Sequence, residues 1–173
     1  FYGLFHAVSS FCNAGFDLFS GAAGFEAGLP RDAGTQAILG ILIILGGLGI
    51  PVLGDILYRR GRYSLHTRIT LVVSAILIVV GGLGIFLAEN RNPFTLSESA
   101  ALESLRLSFF QSISTRTAGF AGLPNFEQLT PATQWLMTAL MLIGTAPASM
   151  GGGITTGAFA VLVLAMWSYV RGL

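Results

Sequence analysis

The sequence predicts an all-α integral membrane protein built from repeated helix–re-entrant loop–helix units. Three observations carry that expectation: too little charge for a water-facing surface, uncharged stretches long enough to cross a bilayer, and an internal repeat at constant offset. Only 10% of the 173 residues are charged and the mean hydropathy is +0.75, whereas a soluble domain carries about a quarter charged residues. Nine basic residues, all arginine, stand against eight acids, so no basic field invites nucleic acid as a partner. Cys12 is the single cysteine, which excludes an internal disulfide and any multi-cysteine metal site. Phe1-Tyr2-Gly3-Leu4-Phe5 starts in mid-pattern, without Met or a charged leader region, and is expected to be an internal piece of a longer chain.

Three uncharged stretches, Thr35 to Gly54, Ile69 to Ala88 and Gln128 to Val170, hold 20, 20 and 43 residues. A hydrocarbon core of ~30 Å takes about 20 helical residues, so the first two are expected to span once each. A straight third helix would reach about 60 Å at ~1.5 Å per residue. Gly144-Thr145-Ala146-Pro147-Ala148-Ser149-Met150-Gly151-Gly152-Gly153 interrupts it. The expectation is therefore one span over 131–170, broken in mid-membrane, with Thr130 as N-cap and Pro131 in the first turn. The organisation that follows is a unit over 1–57, with a re-entrant loop at 1–19 and a span at 35–57, then a basic loop at 58–68. A second unit covers 69–173, with a span at 69–88, a re-entrant helix and turn at 104–123, and the broken span. Arg59, Arg60, Arg62 and Arg68 share their loop with no acid, the pattern of a cytoplasmic connection. Arg171 ends the last span on that same side, while Glu26, Asp32, Glu89, Glu98, Glu103 and Glu127 fall on the other.

Phe1 to Phe16 and Ser104 to Phe120 are apolar but too short to span. Each reads as a short helix followed by a turn of small residues, the second preceded by Thr95-Leu96-Ser97-Glu98 as a capping box. They are either interfacial amphipathic helices or re-entrant loops, whose irregular backbone is tolerated only where it lines a wet cavity. A shift of 104 residues favours the loops: Phe5 meets Phe109, Ser10 meets Ser114, and Ala14-Gly15-Phe16 meets Ala118-Gly119-Phe120. The same shift brings Gly47, Gly49 and Ile50 onto Gly151, Gly153 and Ile154. The copies are parallel, an arrangement that surrounds an axis along the membrane normal.

Asn13-Ala14-Gly15-Phe16 and Thr117-Ala118-Gly119-Phe120 each end in a glycine able to take φ > 0. Backbone carbonyls held in such a turn can replace the hydration shell of an alkali cation, and the C-terminal end of the preceding short helix favours positive charge. Neither turn holds a carboxylate, which disfavours a hard divalent ion. This chemistry reaches a monovalent cation pore and does not separate potassium from sodium.

Ser9 to Leu18 (SSFCNAGFDL), Gly46 to Asp55 (GGLGIPVLGD), His66-Thr67-Arg68, Phe110 to Phe120 (FQSISTRTAGF) and Ile143 to Thr156 (IGTAPASMGGGITT) resemble successive blocks of the Trk/Ktr/HKT superfamily of potassium transporters. The resemblance covers essentially the whole chain. It implies repeated helix–pore loop–helix units of the potassium-channel-like kind, four to a protein, with this chain running from the second pore helix to the end of the third repeat. It implies a selectivity filter at Asn13, Ala14, Gly15, Thr117, Ala118 and Gly119, holding K+ through backbone carbonyls. It also implies a gate loop from Gly144 through Pro147, Ser149, Gly151 and Gly152 to Gly153. The cell membrane as location, a homodimer, and a cytoplasmic nucleotide-binding (RCK/KTN-type) regulatory subunit near Arg59 to Arg68 are implied likewise, with lipid and K+ as the other partners and no cofactor in this chain. Relatives commonly read Ser-Thr-Gly-Gly-Gly-Ile-Lys after the proline; here Met150 and Thr155 stand in place of Thr and Lys.

Arg116, Phe16 and Phe120 are expected to support the filter, Arg116 by hydrogen bonds or by a direct effect on ion passage, the two aromatics by packing behind the turn. Asp17 either concentrates cations or is a solvated loop acid. Cys12 and His6 are expected to pack between helices, and His66 to lie at the interface. Gly46-Gly47-Leu48-Gly49 and Gly81-Gly82-Leu83-Gly84 read as close helix contacts, since no Gly-Lys-Ser/Thr follows them. The competing classes are a secondary transporter of another monovalent cation or a small solute, Na+-coupled, and a membrane anchor, which would not need the 104-residue repeat. An intramembrane enzyme ranks last, because no catalytic pair faces across the spans.

Overall fold

The computed structural model describes residues 1–20, 28–59, 63–97 and 100–172. Its helices are α1 (Tyr2–Phe11), α2 (Ala33–Tyr58), α3 (Leu65–Glu89), α4 (Ala101–Thr115), α5 (Pro131–Leu142) and α6 (Thr156–Val170), with a single 3₁₀ turn at Phe126–Gln128. Among the described residues there is no strand; one isolated parallel bridge joins Ile143 to Ile154. Glu26, Arg60, Arg62 and Glu98, used above for sidedness and capping, lie outside the described residues.

The α2 and α3 helices, of 26 and 25 residues with mean hydropathy 2.4 and 2.8, are long and apolar enough to cross a membrane. Side-chain oxygens close their N-termini: Asp32 accepts from the Thr35 amide and Ser64 from the Thr67 amide. Neither α5 nor α6 is long enough alone, at 12 and 15 residues. Thr130 caps α5 with Pro131 in its first turn, and Thr155 caps α6.

The span expected at 35–57 holds a break. The helix over 33–58 is not one regular rod: Gly49 has φ 76° and ψ 157°, and Pro51 follows within the same element. Proline lacks the amide that the Gly47 carbonyl would need, and its ring crowds the preceding turn. The capping box read at Thr95–Glu98 includes Glu98, which lies outside the described residues. The α4 helix begins at Ala101 behind Ala100, without a side-chain cap, and the Thr95 hydroxyl donates to Glu89 Oε2 at 2.7 Å.

Close approach is arranged by small residues. A Cβ on Gly82 would lie 2.9 Å from the Phe109 ring, and one on Gly84 would lie 2.6 Å from Leu136. An added Cβ on Gly81 would overlap the Ser112 hydroxyl. The Gly81–Gly84 run thus brings α3 against α4 and α5, as small residues do between membrane helices. Two apolar clusters fill the interior. Phe19, Leu39, Ile43, Phe110 and Phe120 lie around the end of α4, and Ile85, Leu96, Leu107, Leu123 and Met137 join α3, α4 and α5.

Glu89, fully buried at the end of α3, ties the second cluster together. Its Oε1 accepts from the Thr130 amide (2.9 Å) and hydroxyl (2.7 Å), and its Oε2 from Asn92 Nδ2 and Thr95 Oγ1, both at 2.7 Å. Removing a buried acceptor strands its donors, and hydrogen bonds to a charged group are each worth about 1.5–3 kcal/mol. Glu89→Ala in the complete protein is expected to lose on the order of 3 kcal/mol, read as a lower midpoint of thermal unfolding in detergent; an unchanged midpoint would contradict this role.

Candidate functional site

The two short helices end in related turns. Asn13 and Gly15 after α1 have φ 52° and 71°, and Gly119 after α4 has φ 83°. Asparagine tolerates the left-handed region where a β-branched residue does not, and the equivalent Thr117 is not among the positive-φ residues. The turns are closed differently. Ser9 Oγ donates to the Phe16 carbonyl at 3.0 Å, whereas Ser114 Oγ donates to the Phe120 carbonyl at 2.7 Å.

The turns meet. Thr117 Oγ1 donates to Asn13 Oδ1 at 2.9 Å, a bond between residues 104 positions apart, so equivalent positions of the repeat touch one another. The Gly15 backbone lies against the Ala118 carbonyl so closely that an added Cβ would overlap that oxygen. Gly119, by contrast, faces open space. Among the described residues no three His, Cys, Asp or Glu side chains gather as a metal site.

Beneath Thr117 runs the segment 143–155, which is tied to the break in α2. The Ala146 amide donates to the Gly47 carbonyl (3.0 Å), the Met150 amide to the Gly46 carbonyl (3.2 Å), and the Ile50 amide to the Ala148 carbonyl (3.3 Å). These are the groups that Gly49 and Pro51 release from the helical ladder. The ends of the segment are pinned by Gly144 N to Ile154 O (2.9 Å) and Ile154 N to Leu142 O (3.1 Å). Gly153 repeats the left-handed backbone of its equivalent, Gly49, with φ 83° against 76°. Thr145 Oγ1 and Ser149 Oγ lie 2.7 Å apart, pairing the two hydroxyls inside the loop. Pro147 and Gly152 lie in the same loop, and Gly151 approaches the turn itself: a Cβ there would fall 2.8 Å from the Thr117 methyl.

The supporting residues divide. Arg116 is buried and donates from Nη2 to the Gly144 carbonyl at 2.7 Å, so its bond goes to the loop. Phe120 is buried at 1% exposure, but Phe16 is 69% exposed and does not pack behind its turn. Cys12, placed between helices by sequence, is exposed, because α1 turns its buried face through His6, Ser9 and Ser10. Asp17 is half-buried and tied by hydrogen bonds. It accepts from the Phe19 amide (2.7 Å) and Ser20 Oγ (2.6 Å), and its Oδ1 lies 2.9 Å from Nε2 of buried His6. Burial pushes its pKa up, but hydrogen bonds from Ser20, His6 and Phe19 outweigh this and hold the carboxyl below its ordinary value. A lowered carboxyl stabilises the fold above the ordinary pKa, and that contribution is lost as pH falls through the lowered one. His6 also stacks on Phe19, ring centres 4.2 Å apart, so the pair braces the exit of the first turn.

Comparison with known proteins now gives these turns a context. The family model described as "TrkH: Cation transport protein" matches residues 1–172. The chain belongs to the TrkH cation transport protein family. The Ktr system potassium uptake protein B of Vibrio alginolyticus is 39% identical over 99% of this chain and 38% of its own length. That of Bacillus subtilis is 35% identical, again over 99% of this chain and 38% of its own length. The potassium/sodium uptake protein NtpJ of Enterococcus hirae is 37% identical over 99% of this chain and 37% of its own length. The crystal structure of the potassium transporter TrkH from Vibrio parahaemolyticus superposes with a TM-score of 0.67 at 15% identity, covering 94% of this chain and 34% of that one. At that identity the likeness concerns the fold alone. The chain thus spans about 38% of the curated relatives' length. The resemblance read from the sequence is borne out, and with α2 and α3 it makes this TrkH-family chain a membrane protein.

Two participants were missed in the sequence. Pro51 stands in a span that looked continuous, yet proline inside an apolar helix is the signal of a released carbonyl. Gly46 was read as a helix contact, and it is one: an added Cβ would overlap the Phe11 carbonyl. Its own carbonyl, however, also holds the loop. Pro51→Ala supplies an amide that can compete for the Gly47 carbonyl. A neutral hydrogen bond contributes about 1 kcal/mol, so hydrogen exchange at the Ala146 amide is expected to quicken roughly fivefold; unchanged protection would contradict the competition.

Proposed function

We propose that this chain supplies two pore-lining units of a potassium uptake protein of the cell membrane. In this reading the backbone carbonyls of Asn13, Ala14, Gly15, Thr117, Ala118 and Gly119 belong to a cation selectivity filter, and Gly144 to Gly153 is the gate loop beneath it. The observation that carries the reading is the Thr117–Asn13 bond, which joins equivalent turns of a repeat. Turns related in this way face one axis, and an ion on that axis would meet carbonyls from both. The positive φ of Gly15 and Gly119 supports it, because such a backbone can aim successive carbonyls to one side.

The relatives named as potassium uptake proteins support K+ as the ion. The relative named as a potassium/sodium uptake protein supports a second reading, in which sodium is also carried or coupled. The Arg59–Arg68 connection is the cytoplasmic side and the docking edge for a nucleotide-binding regulatory subunit, and the complete protein is a homodimer. Both statements extend the family resemblance.

The test uses the complete protein in cells lacking other potassium systems. Gly119→Ser has room for its side chain but a backbone angle that L-residues occupy at a cost of about 1–2 kcal/mol. The rubidium-to-sodium uptake ratio is therefore expected to fall roughly five- to thirtyfold. Gly15→Ser is expected to disturb the junction of both turns, since its Cβ has no space, and to lower total uptake as well. An unchanged ratio for Gly119→Ser at normal membrane expression would remove that turn from the filter. Deleting Ala148–Gly151 takes away two of the three bonds to α2 and is expected to raise flux while keeping the ratio. Reduced flux would mean that the loop braces the pore, and a changed ratio that it belongs to the filter.

A further inference from the structure

Arg116 caps the C-terminus of α4 and immediately precedes Thr117, yet its side chain reaches away from the turn to the Gly144 carbonyl. We propose that Arg116 is a positioning residue that couples the turn at 117–119 to the loop at 143–155, so that ion occupancy of the turn and the position of the loop are linked. The proposal deepens the pore reading above and rests on it.

Arg116 is 7% exposed, and among the described residues its Nε has no hydrogen-bond partner. No carboxylate lines the cavity of about 30 Å³ beside it, whose walls include Gly47, Thr117 and Thr145. That space exceeds the ~10–15 Å³ one water needs, so the guanidinium has room to shift by a small step or to take a water on Nε. Its one direct partner is therefore a loop carbonyl. A buried charge stripped of its partner is heavily penalised, so displacement of Gly144 obliges Arg116 to follow or to remain unpaired.

The two ends of the link are firmly held. Gly144 sits at the closed neck of the loop, held on Ile154, and a Cβ there would overlap the Gly152 carbonyl. At the other end, Thr117 is bonded to Asn13 and faces Gly151. A motion at either end is thus transmitted through one side chain. Coupling between sites requires such an element with differential contacts in two states. The equivalent position in the other unit is Cys12, exposed and without this reach, so the link belongs to one unit only.

The test uses the complete transporter in proteoliposomes, with native cysteines, Cys12 included, removed and Met150→Cys introduced. Met150 is 56% exposed on the loop, and its labelling rate by a methanethiosulfonate reagent is compared in K+ and in choline. With Arg116 present the two rates are expected to differ about fivefold or more, the lower end of typical couplings. In Arg116→Gln the ratio is expected to collapse towards one. Arg116→Lys, which keeps the charge but not the forked donor, is expected to retain part of the ratio, and it carries the test if the Gln variant fails to reach the membrane. An undiminished ratio in either variant, or no K+ dependence with Arg116 present, overturns the coupling. Gly119→Ser in the same background separates the two ideas by its rubidium-to-sodium ratio. If that ratio is unchanged, the pore reading fails; if it falls while Arg116→Gln keeps its labelling ratio, the coupling alone fails.

Discussion

A backbone group released from its helix inside an apolar surround must find another partner, and in this chain two breaks answer one another. Gly49 and Pro51 free the carbonyls of Gly46 and Gly47 and the amide of Ile50. The segment between α5 and α6 has its own amides and carbonyls to place, and it pairs with those three. Left open to hydrocarbon, each such group would cost several kcal/mol. Pairing them with each other holds both irregular segments in register and sets the loop below Thr117.

The pseudo-symmetry of the chain is most informative where it fails. Gly49 and Gly153 share a left-handed backbone, yet the first break passes within a single helix while the second widens into a loop that separates two. At the turns, Asn13 adopts a positive φ that Thr117, being β-branched, does not share. The positions after the helices differ more sharply, Cys12 in one unit and Arg116 in the other. One unit therefore docks the loop through α2, and the other grips it through Arg116 at Gly144.

Several junctions rest on acids that looked like ordinary surface charge in the sequence. Glu89 and Asp17 each gather donors from two segments, and Asp32 caps α2. In a chain with 10% charged residues, the buried Glu89 and the half-buried Asp17 act as structural fasteners.

The membrane solvent, the long apolar helices, the Thr130–Pro131 start and the 104-residue repeat were legible in the residues themselves, because each depends on local composition or on a pattern along one chain. The glycines at 15 and 119 were legible for the same reason: a left-handed turn after a short helix has a local signature. What Phe16, Cys12, Asp17 and Arg116 touch was not legible. Their partners lie on other helices or across a turn, and identical residue types would serve as packing, solvated loop or brace depending on what folds against them. The break in α2 falls between the two cases. Gly49 and Pro51 declare in sequence that a carbonyl will be released, but only the tertiary structure decided that the loop after α5 would take it, since that pairing brings together backbone groups about a hundred residues apart, which no local propensity specifies.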